Sequence, residues 1–254
     1  MTTWRLRLEY DGTRFAGWQV QPGQVTIQSE LEAAVRHVFA DPGIRVIASG
    51  RTDAGVHALG QVVCFRAKAK RRPDQVCMGL NSHLPPEIAC LEAAVAHPDF
   101  HAQLSAVGKL YRYVLRTGTT RSPLQRDRSW QLRYALDLPA MVSALKSIEG
   151  RHDFSSFRAA GCASKSPIRT LHRAQLLVQE EGLWIEFYGE GFLRHMVRNI
   201  VGSLHDVGRH KHPPEWFGEL MQARDRNLAG ATAPPGGLFL VRVDYPEDLL
   251  VEER

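Results

Sequence analysis

The feature that most constrains the fold is an order of elements that occurs twice along the chain. Alternating apolar residues from Trp4 to Tyr10 predict a strand, and apolar residues at helical spacing from Ile27 to Val38 predict a helix capped by Thr26. Strands are then predicted at 44–48 and 61–65, a helix at 73–81 and a strand at 88–95. This βαββαβ order is that of a ferredoxin-like unit.

The second half of the chain is predicted to repeat this order. The predicted elements are a strand at 107–116, a helix at 138–149 capped by Asp137, strands at 172–179 and 183–188, a helix at 192–207, a short extra helix at 214–224 and a strand at 238–243. We therefore expect an α+β fold of two tandem ferredoxin-like units, with an N-terminal half at 1–103 and a C-terminal half at 104–254.

Composition excludes several classes of protein. With 44% hydrophobic and 23% charged residues the chain is typical of a globular protein, and no apolar run approaches the roughly 20 residues of a membrane-spanning helix. The four cysteines have no CxxC spacing, so we expect reduced thiols in a cytoplasmic protein. A net charge of +5 suits a polyanionic partner without requiring one.

The stretch "ASGRTDAGVH" at 48–57 contains the strongest candidate for chemistry. Gly50 and Gly55 allow a tight loop that presents Asp53, and Arg51 is close enough in sequence to hydrogen-bond its carboxylate and keep it ionised. Such a carboxylate is useful against the electrophilic carbon of a sugar. A turn with a local ion pair is the alternative that the spacing alone leaves open.

Two other groups of residues suit an RNA ligand. Tyr111 and Tyr113 alternate among cations, a pattern that fits stacking on unpaired bases but also an ordinary strand. Arg194 and Arg198 are expected on one helix face, which can hold phosphate, pair with a carboxylate or be solvated. The cations of the first group are Lys109, Arg112 and Arg116, and His195 and Asn199 are expected beside the two arginines.

Other charged stretches are less specific. "FRAKAKRR" at 65–72 contains Lys68 and Lys70, which either follow a phosphate backbone or keep a strand end soluble. "HDVGRHKH" at 205–212 lacks a complete ligand set, so no metal site is expected. No P-loop or GxGxxG fingerprint is present, so no nucleotide cofactor is expected.

One stretch has a specific likeness. "SGRTDAGVHALGQV" resembles, nearly residue for residue, the catalytic loop of the tRNA pseudouridine synthase A family. Other stretches of the chain also resemble this family, and they occur in the family's order along the sequence: "YDGTRFAGWQVQP", "KLYRYVL", "GRHDFSSF" and "GFLRHMVRNIVGSL". The resemblance spans almost the whole chain.

The resemblance implies a pseudouridine synthase fold with a central mixed sheet and a catalytic cleft. It implies an isomerase that converts uridine to pseudouridine at positions 38, 39 and 40 of the tRNA anticodon stem-loop, without a cofactor, as a homodimer. Asp53 matches the family's nucleophile, and Tyr111 matches the residue that stacks on the uracil and acts late as a base. Arg198 matches the arginine that pairs with the aspartate and helps to extrude the base.

Two other functions remain as alternatives. A non-catalytic RNA-binding protein would retain the loop for its shape alone. A glycoside hydrolase needs a second acid, and neither Glu190 nor Asp206 has a spacing that supports this role. The sequence also leaves open whether Asp53 attacks C1′ of the sugar, adds to C6 of the base or promotes a glycal intermediate.

Overall fold

A computed structural model describes residues 1–250, which form two compact units. Unit 1 comprises residues 1–107 and 239–250, and unit 2 comprises residues 108–238. The predicted halves divide at 103/104, and residues 239–250 of the predicted C-terminal half belong to unit 1. Residues 251–254 of that predicted half lie outside the described residues.

Unit 1 has a sheet in which the first strand is central. Its elements are β1 Thr2–Tyr10, α1 Ile27–Phe39, β2 Ile47–Ala48, β3 His57–Ala67, α2 Pro73–Asn81 and β4 Ile88–Ala96. β1 pairs antiparallel with both β3 and β4, and β2 pairs antiparallel with β3. The order β4-β1-β3-β2 is that of a ferredoxin-like sheet.

The core of unit 1 forms between this sheet and α1. Thr26 caps the helix in a capping box with Ser29, and the buried face of the helix includes Phe39. The ring of Trp4 meets the ring of Phe39 edge-on at 5.5 Å and stacks on Phe65 at 6.5 Å. Each such fully buried large side chain contributes roughly 1.5–3 kcal/mol through loss of apolar surface.

The strands of unit 2 pair mainly antiparallel. Its elements are β5 Gly108–Thr117, β6 Trp130–Leu132, α3 Leu138–Lys146, β7 Gly150–Asp153, β8 Ile168–Gln179, β9 Gly182–Gly189, α4 Met196–Gly208 and α5 Trp216–Ala223. β9 pairs antiparallel with β5 and β8, and β7 pairs antiparallel with β8. The short β6 pairs in parallel with β5. Met196, Ile200 and Leu204 of α4 are fully buried, as expected for its core face.

The last strand, β10 Leu238–Asp244, explains the difference from the predicted halves. It pairs in parallel with β3 through Phe239 opposite His57 and Leu240 opposite Ala58. The side chain of Phe239 also stacks on His57 at 4.7 Å. A pairing between residues so distant in sequence leaves no local pattern, so the sequence did not reveal it.

The strand predicted at 44–48 is shorter in the structure and begins at Ile47. The carbonyl of Ile44 accepts a hydrogen bond from Arg36 at 2.9 Å, and the N–H of Val46 donates to the carboxylate of Glu32 at 3.2 Å. Side chains of α1 thus satisfy the backbone groups that a sheet would otherwise pair.

The predicted α+β class is confirmed. Residues 1–250 contain ten strands and five α-helices, and α2 has the predicted bounds. None of the helices described is both long enough and apolar enough to cross a membrane.

Candidate active site

Asp53 lies in unit 1, on the loop between β2 and β3. It is half-buried, whereas Thr52 and Val56 beside it are buried. The N–H of Val56 donates to the carbonyl of Asp53 at 3.1 Å, and Gly55 has a φ of 76°. Asp53 therefore begins a tight turn whose third residue needs the left-handed conformation that glycine adopts without strain. Gly50, in contrast, has no positive φ.

The segment after β1 packs against this turn and requires glycine at two positions. A Cβ on Gly12 would overlap the carbonyl oxygen of Val56, and a Cβ on Gly17 would lie 2.9 Å from the carbonyl oxygen of Thr52. The N–H of Trp18 donates to that same carbonyl at 3.0 Å. The N-terminal segment thus fixes the backbone on both sides of the aspartate.

A network of hydrogen bonds from uncharged side chains holds the start of the loop. The hydroxyl groups of Tyr10 and Thr52 are 2.8 Å apart, and Nε2 of Gln61 donates to the carbonyl of Gly50 at 2.9 Å. Oγ of Ser49 donates to Oε1 of Gln61 at 2.6 Å. Burial raises the pKa of Tyr10 to about 12, so its phenol is neutral at physiological pH. These supporting residues were not identified from the sequence.

The side chain of Arg51 is exposed, and its pairing with the Asp53 carboxylate stays a prediction. The contacts described above hold the loop through its backbone and through neutral hydrogen bonds.

Tyr111 lies on β5 in unit 2 and is 8% exposed. Its ring meets the ring of Phe192 edge-on, with centroids 4.9 Å apart. Tyr113, two residues further along the same face, is fully buried, and its hydroxyl donates to the carbonyl of Pro234 at 2.7 Å. Tyr113 is therefore a core residue, and Tyr111 is the ring of the pair with measurable exposure.

The cations beside these tyrosines have different surroundings. Arg112, on the opposite face of β5, pairs with Glu186 at 2.7 Å and lies 3.6 Å above the ring of Trp184. Arg116 donates to the carbonyl of Glu181 at 2.7 Å. These two arginines stabilise the sheet. Lys109, the third of these cations, lies on the same face of β5 as Tyr111.

The expectation that Arg194 and Arg198 share one helix face is wrong. α4 begins at Met196, because His195 has a φ of 61° and interrupts the helical backbone. The carbonyl of Arg194 accepts a hydrogen bond from the N–H of Ala159 at 3.1 Å, which holds the preceding residues in a loop. Only Arg198 lies on the helix.

Arg198 is half-buried in the first turn of α4, and Nε donates to the carbonyl of Ala233 at 2.8 Å. Its charge also acts on the Tyr113 phenol: burial raises the pKa of that phenol, and the Arg198 charge partly opposes this effect. The hydrogen bonds of Arg198 and Tyr113 go to consecutive carbonyls, those of Ala233 and Pro234. The segment that contains both carbonyls thus orients the arginine.

Asn199, next to Arg198, is the fully buried centre of a network that holds this segment. Its Nδ2 donates to the carbonyl of Phe157 at 2.8 Å. Its Oδ1 accepts from the Thr232 hydroxyl at 2.7 Å and from Arg226 at 3.1 Å. The sequence placed Asn199 on a cationic face, but the structure assigns it to the core.

With this geometry in place, comparison with known proteins identifies the family. A family model described as tRNA pseudouridine synthase matches residues 8–104 and 144–246. The chain belongs to this family. Synthases of this family are isomerases, which confirms the enzyme class expected from the sequence.

Individual relatives match over nearly their full length. A tRNA pseudouridine synthase A of Shouchella clausii is 44% identical and the alignment covers 100% of this chain and 97% of that protein. Those of Ralstonia nicotianae and Alcanivorax borkumensis are 44% and 45% identical, with 97% of this chain and 91% and 92% of those proteins covered. The resemblance of the quoted motifs thus extends to the whole chain.

The basic run of this synthase after β3 is exposed but not uniform. Lys68 and Lys70 are exposed, whereas Arg72 pairs with Asp74 at 2.8 Å. Arg71 lies 5.7 Å from the ring of Phe39. Among the cations of this run, the two lysines are therefore best placed to contact a phosphate.

The histidine-rich stretch 205–212 forms ordinary contacts. Nε2 of His205 is 2.7 Å from the hydroxyl of Tyr134, and Asp206 pairs with Lys211 at 3.1 Å. In the described part of the chain no group of three or more metal-binding side chains converges. Glu190 is exposed and lies 4.0 Å from His172. Both acids, Glu190 and Asp206, belong to unit 2, whereas the Asp53 turn belongs to unit 1.

The candidate residues fall into two groups. Asp53, Arg51, Lys68 and Lys70 belong to unit 1, and Tyr111, Arg194 and Arg198 belong to unit 2. Within unit 2, Phe192 links the Tyr111 ring to the loop that contains Arg194.

Proposed function

We propose that this synthase isomerises uridine to pseudouridine in tRNA, with Asp53 as the nucleophile. The observation that carries the proposal is the Asp53 turn itself. Glycine contacts and a neutral hydrogen-bond network hold its backbone on both sides, in a chain that belongs to the tRNA pseudouridine synthase family. A half-buried carboxylate on a fixed backbone suits attack on a sugar carbon.

The reaction breaks the N1–C1′ bond, turns the uracil and joins its C5 to the same sugar carbon. We place the attack of Asp53 at C1′, in the manner of a glycosidase carboxylate. The C5 proton must leave after the new bond forms, so a base is needed late in the reaction. Product and substrate are isomers, and no hydride, phosphate or water has to be carried.

Tyr111 and Arg198 supply the remaining roles in this proposal. The substrate uridine must leave its stack, which costs a few kcal/mol. We assign Tyr111 to stack on the detached uracil and to accept the C5 proton, and Arg198 to pair with the aspartate and help extrude the base. The Phe192 contact that orients Tyr111 and the hydrogen bond from Arg198 to Ala233 support these assignments, because these contacts hold both side chains in place.

We further propose positions 38, 39 and 40 of the anticodon stem-loop as the targets. The relatives carry the name tRNA pseudouridine synthase A, and extrusion costs least near a loop. Exposed cations that contact backbone phosphates do not read base edges, which suits an enzyme that accepts neighbouring positions. Lys68 and Lys70, with the exposed Arg51, are proposed as such contacts.

Uridine labelled with tritium at C5 separates the possible functions. Transcripts of the anticodon stem-loop with a single uridine at position 38, 39 or 40 are incubated with the wild-type protein. Tritium release from these transcripts, but not from one with its only uridine elsewhere in the stem, supports the proposal. Binding without release favours a non-catalytic RNA-binding protein, and free uracil as product favours a hydrolase.

We also propose a cytoplasmic homodimer. Both parts rest on the family resemblance, and sedimentation of the purified protein with and without tRNA tests the homodimer. A single species with the mass of one chain at micromolar concentration would contradict it.

A further inference from the structure

Four cations of unit 2 are grouped by their contacts with one loop and by charge. Arg158 and Arg169 both bond to Ser164, Arg194 bonds to Ala160, and the charge of Arg169 acts on Lys109. Lys109 lies on β5, Arg169 on β8, Arg158 in the loop after Phe157 and Arg194 in the loop before α4. We call these four residues the basic cluster. Burial and then the charge of Arg169 lower the pKa of Lys109 to about 8. Burial also lowers the pKa of Arg169, and the charge of Arg158 adds to this effect.

The three arginines of the basic cluster are not neutralised by carboxylates. Arg158 donates to the carbonyls of Cys162 and Ser164 at 2.9 and 2.6 Å. Arg169 donates to the carbonyl of Ser166 at 3.0 Å, and Arg194 to that of Ala160 at 3.4 Å. Across residues 1–250, no ion pair with Asp or Glu joins any of these arginines. Carbonyl contacts leave their full charge in place.

Other arginines of this synthase show the contrast. Arg5, Arg112 and Arg242 each pair with a carboxylate at 2.5 to 2.7 Å. Holding these three guanidinium charges near one loop without a carboxylate costs free energy. The three arginines therefore have the arrangement of a site whose counter-charge comes from a ligand.

The surroundings of the Cys162 thiol indicate that the basic cluster favours a negative charge. Sγ of Cys162 accepts a hydrogen bond from the N–H of Arg194 at 3.5 Å. Partial burial would raise the pKa of this thiol, but main-chain N–H groups of Arg194 and Ser164, together with the charge of Arg158, lower it below its ordinary value. The surroundings thus stabilise an anion at this position.

We propose that the basic cluster binds a backbone phosphodiester of the RNA substrate, next to the nucleotide whose base stacks on Tyr111. The proposal rests on the function proposed above. Lys109 lies two residues from Tyr111 on the same strand face, and Phe192 connects the Tyr111 ring to the Arg194 loop. A guanidinium group can donate two parallel hydrogen bonds to a phosphate, and its planar geometry gives these bonds a direction that a lysine ammonium lacks.

The first test removes the charges of Arg169 and Arg194, whose side chains bond to main-chain carbonyls and to the Ser164 hydroxyl. Arg169→Gln combined with Arg194→Gln is expected to weaken binding of the anticodon stem-loop about tenfold at 0.1 M salt. The slope of log Kd against log salt should fall by about 1 to 2, because binding releases fewer counterions when it forms fewer phosphate contacts. Circular dichroism and urea unfolding verify that the variant is folded.

The control removes the same charge elsewhere. Arg126 and Arg242 are exposed and pair with neighbouring aspartates at 2.9 and 2.7 Å. Arg126→Gln combined with Arg242→Gln should leave the affinity within about twofold, because these charges are already compensated. Equal losses in both double variants would mean that only net charge matters and would overturn the site.

The second test uses Cys162 as a handle, in a Cys77→Ser background because Cys77 is the other half-exposed thiol. Methanethiosulfonate reagents attach either an ethylsulfonate or an ethyltrimethylammonium group. The sulfonate should weaken RNA binding at least tenfold more than the cation does. Equal effects of both labels would contradict a phosphate site.

A protection experiment distinguishes the source of the phosphate. Micromolar stem-loop RNA should slow modification of Cys162 by the sulfonate reagent, whereas inorganic phosphate at the same concentration should not. Protection by inorganic phosphate alone would overturn the assignment to RNA. The function fails separately, if wild-type protein releases no tritium. The phosphate site fails if the wild type is active and the double variant binds RNA with unchanged affinity and salt slope.

Discussion

Lys109 provides a quantitative test of the electrostatics beside Tyr111. A lysine ordinarily has a pKa of 10.5, and burial together with the charge of Arg169 lowers that of Lys109 to about 8. Between these values the unfolded chain holds a proton that the folded protein has lost. Stability therefore rises with pH in this window, by about 1.4 kcal/mol for each pH step. Below pH 8 the charged lysine destabilises the fold by up to about 3 kcal/mol.

The test replaces this lysine by methionine, which has a similar length but no charge. Wild-type protein should gain about 2 kcal/mol more than Lys109→Met between pH 8 and pH 9.5. Other titrating groups are common to both proteins and cancel in the difference. A change in side-chain packing offsets the Lys109→Met curve by a constant amount at every pH, so the slope is the quantity to compare.

Urea unfolding followed by tryptophan fluorescence at half-unit pH intervals gives both curves. Parallel curves over this range would refute the account, because they would mean that Lys109 titrates alike in the folded and unfolded chains. The basic cluster would then lack the positive electrostatic potential that its geometry implies. A rise confined to the wild type would show that this position costs stability in the absence of ligand.

Three further predictions concern the residues that position the site. Gly12→Ala should abolish tritium release by displacing the Val56 carbonyl, whereas Gly218→Ala, where a Cβ meets nothing within 4 Å, should keep full activity and stability; an active Gly12→Ala would contradict this role. Asn199→Ala should lower the free energy of unfolding by at least about 2 kcal/mol in urea titrations, because it leaves buried partners without hydrogen bonds; a loss below about 0.5 kcal/mol would disagree. Tyr111→Phe should bind tRNA normally but lose at least about 100-fold in kcat if its hydroxyl is the late base, and persistent turnover would limit its role to stacking.

Local patterns were sufficient where local forces decide the structure. α2 has the predicted bounds because Pro73 can occupy the first turn of a helix. α1 begins after Thr26 as predicted, because the Thr26 side chain and Ser29 satisfy each other's backbone groups. The position of Asp53 on a glycine-containing turn was likewise evident from the sequence.

Long-range contacts account for what the sequence did not reveal. The loop network joins Tyr10 to Thr52 and to Gln61, partners separated by 42 and 51 residues. α4 begins four residues later than predicted because a loop from another part of unit 2 bonds to Arg194 and the backbone turns at His195. No periodicity encodes either contact.

The single-turnover rate of Asp53→Asn on the anticodon stem-loop decides whether Asp53 is the nucleophile. The amide keeps the shape of the side chain but is a much weaker nucleophile, so we expect tRNA binding within about twofold and a rate at least about 1,000-fold below the wild type. Asp99→Asn serves as the matched control, since Asp99 is 85% exposed and should be substituted without effect. An Asp53→Asn protein that forms pseudouridine at the wild-type rate would show that Asp53 is not the nucleophile.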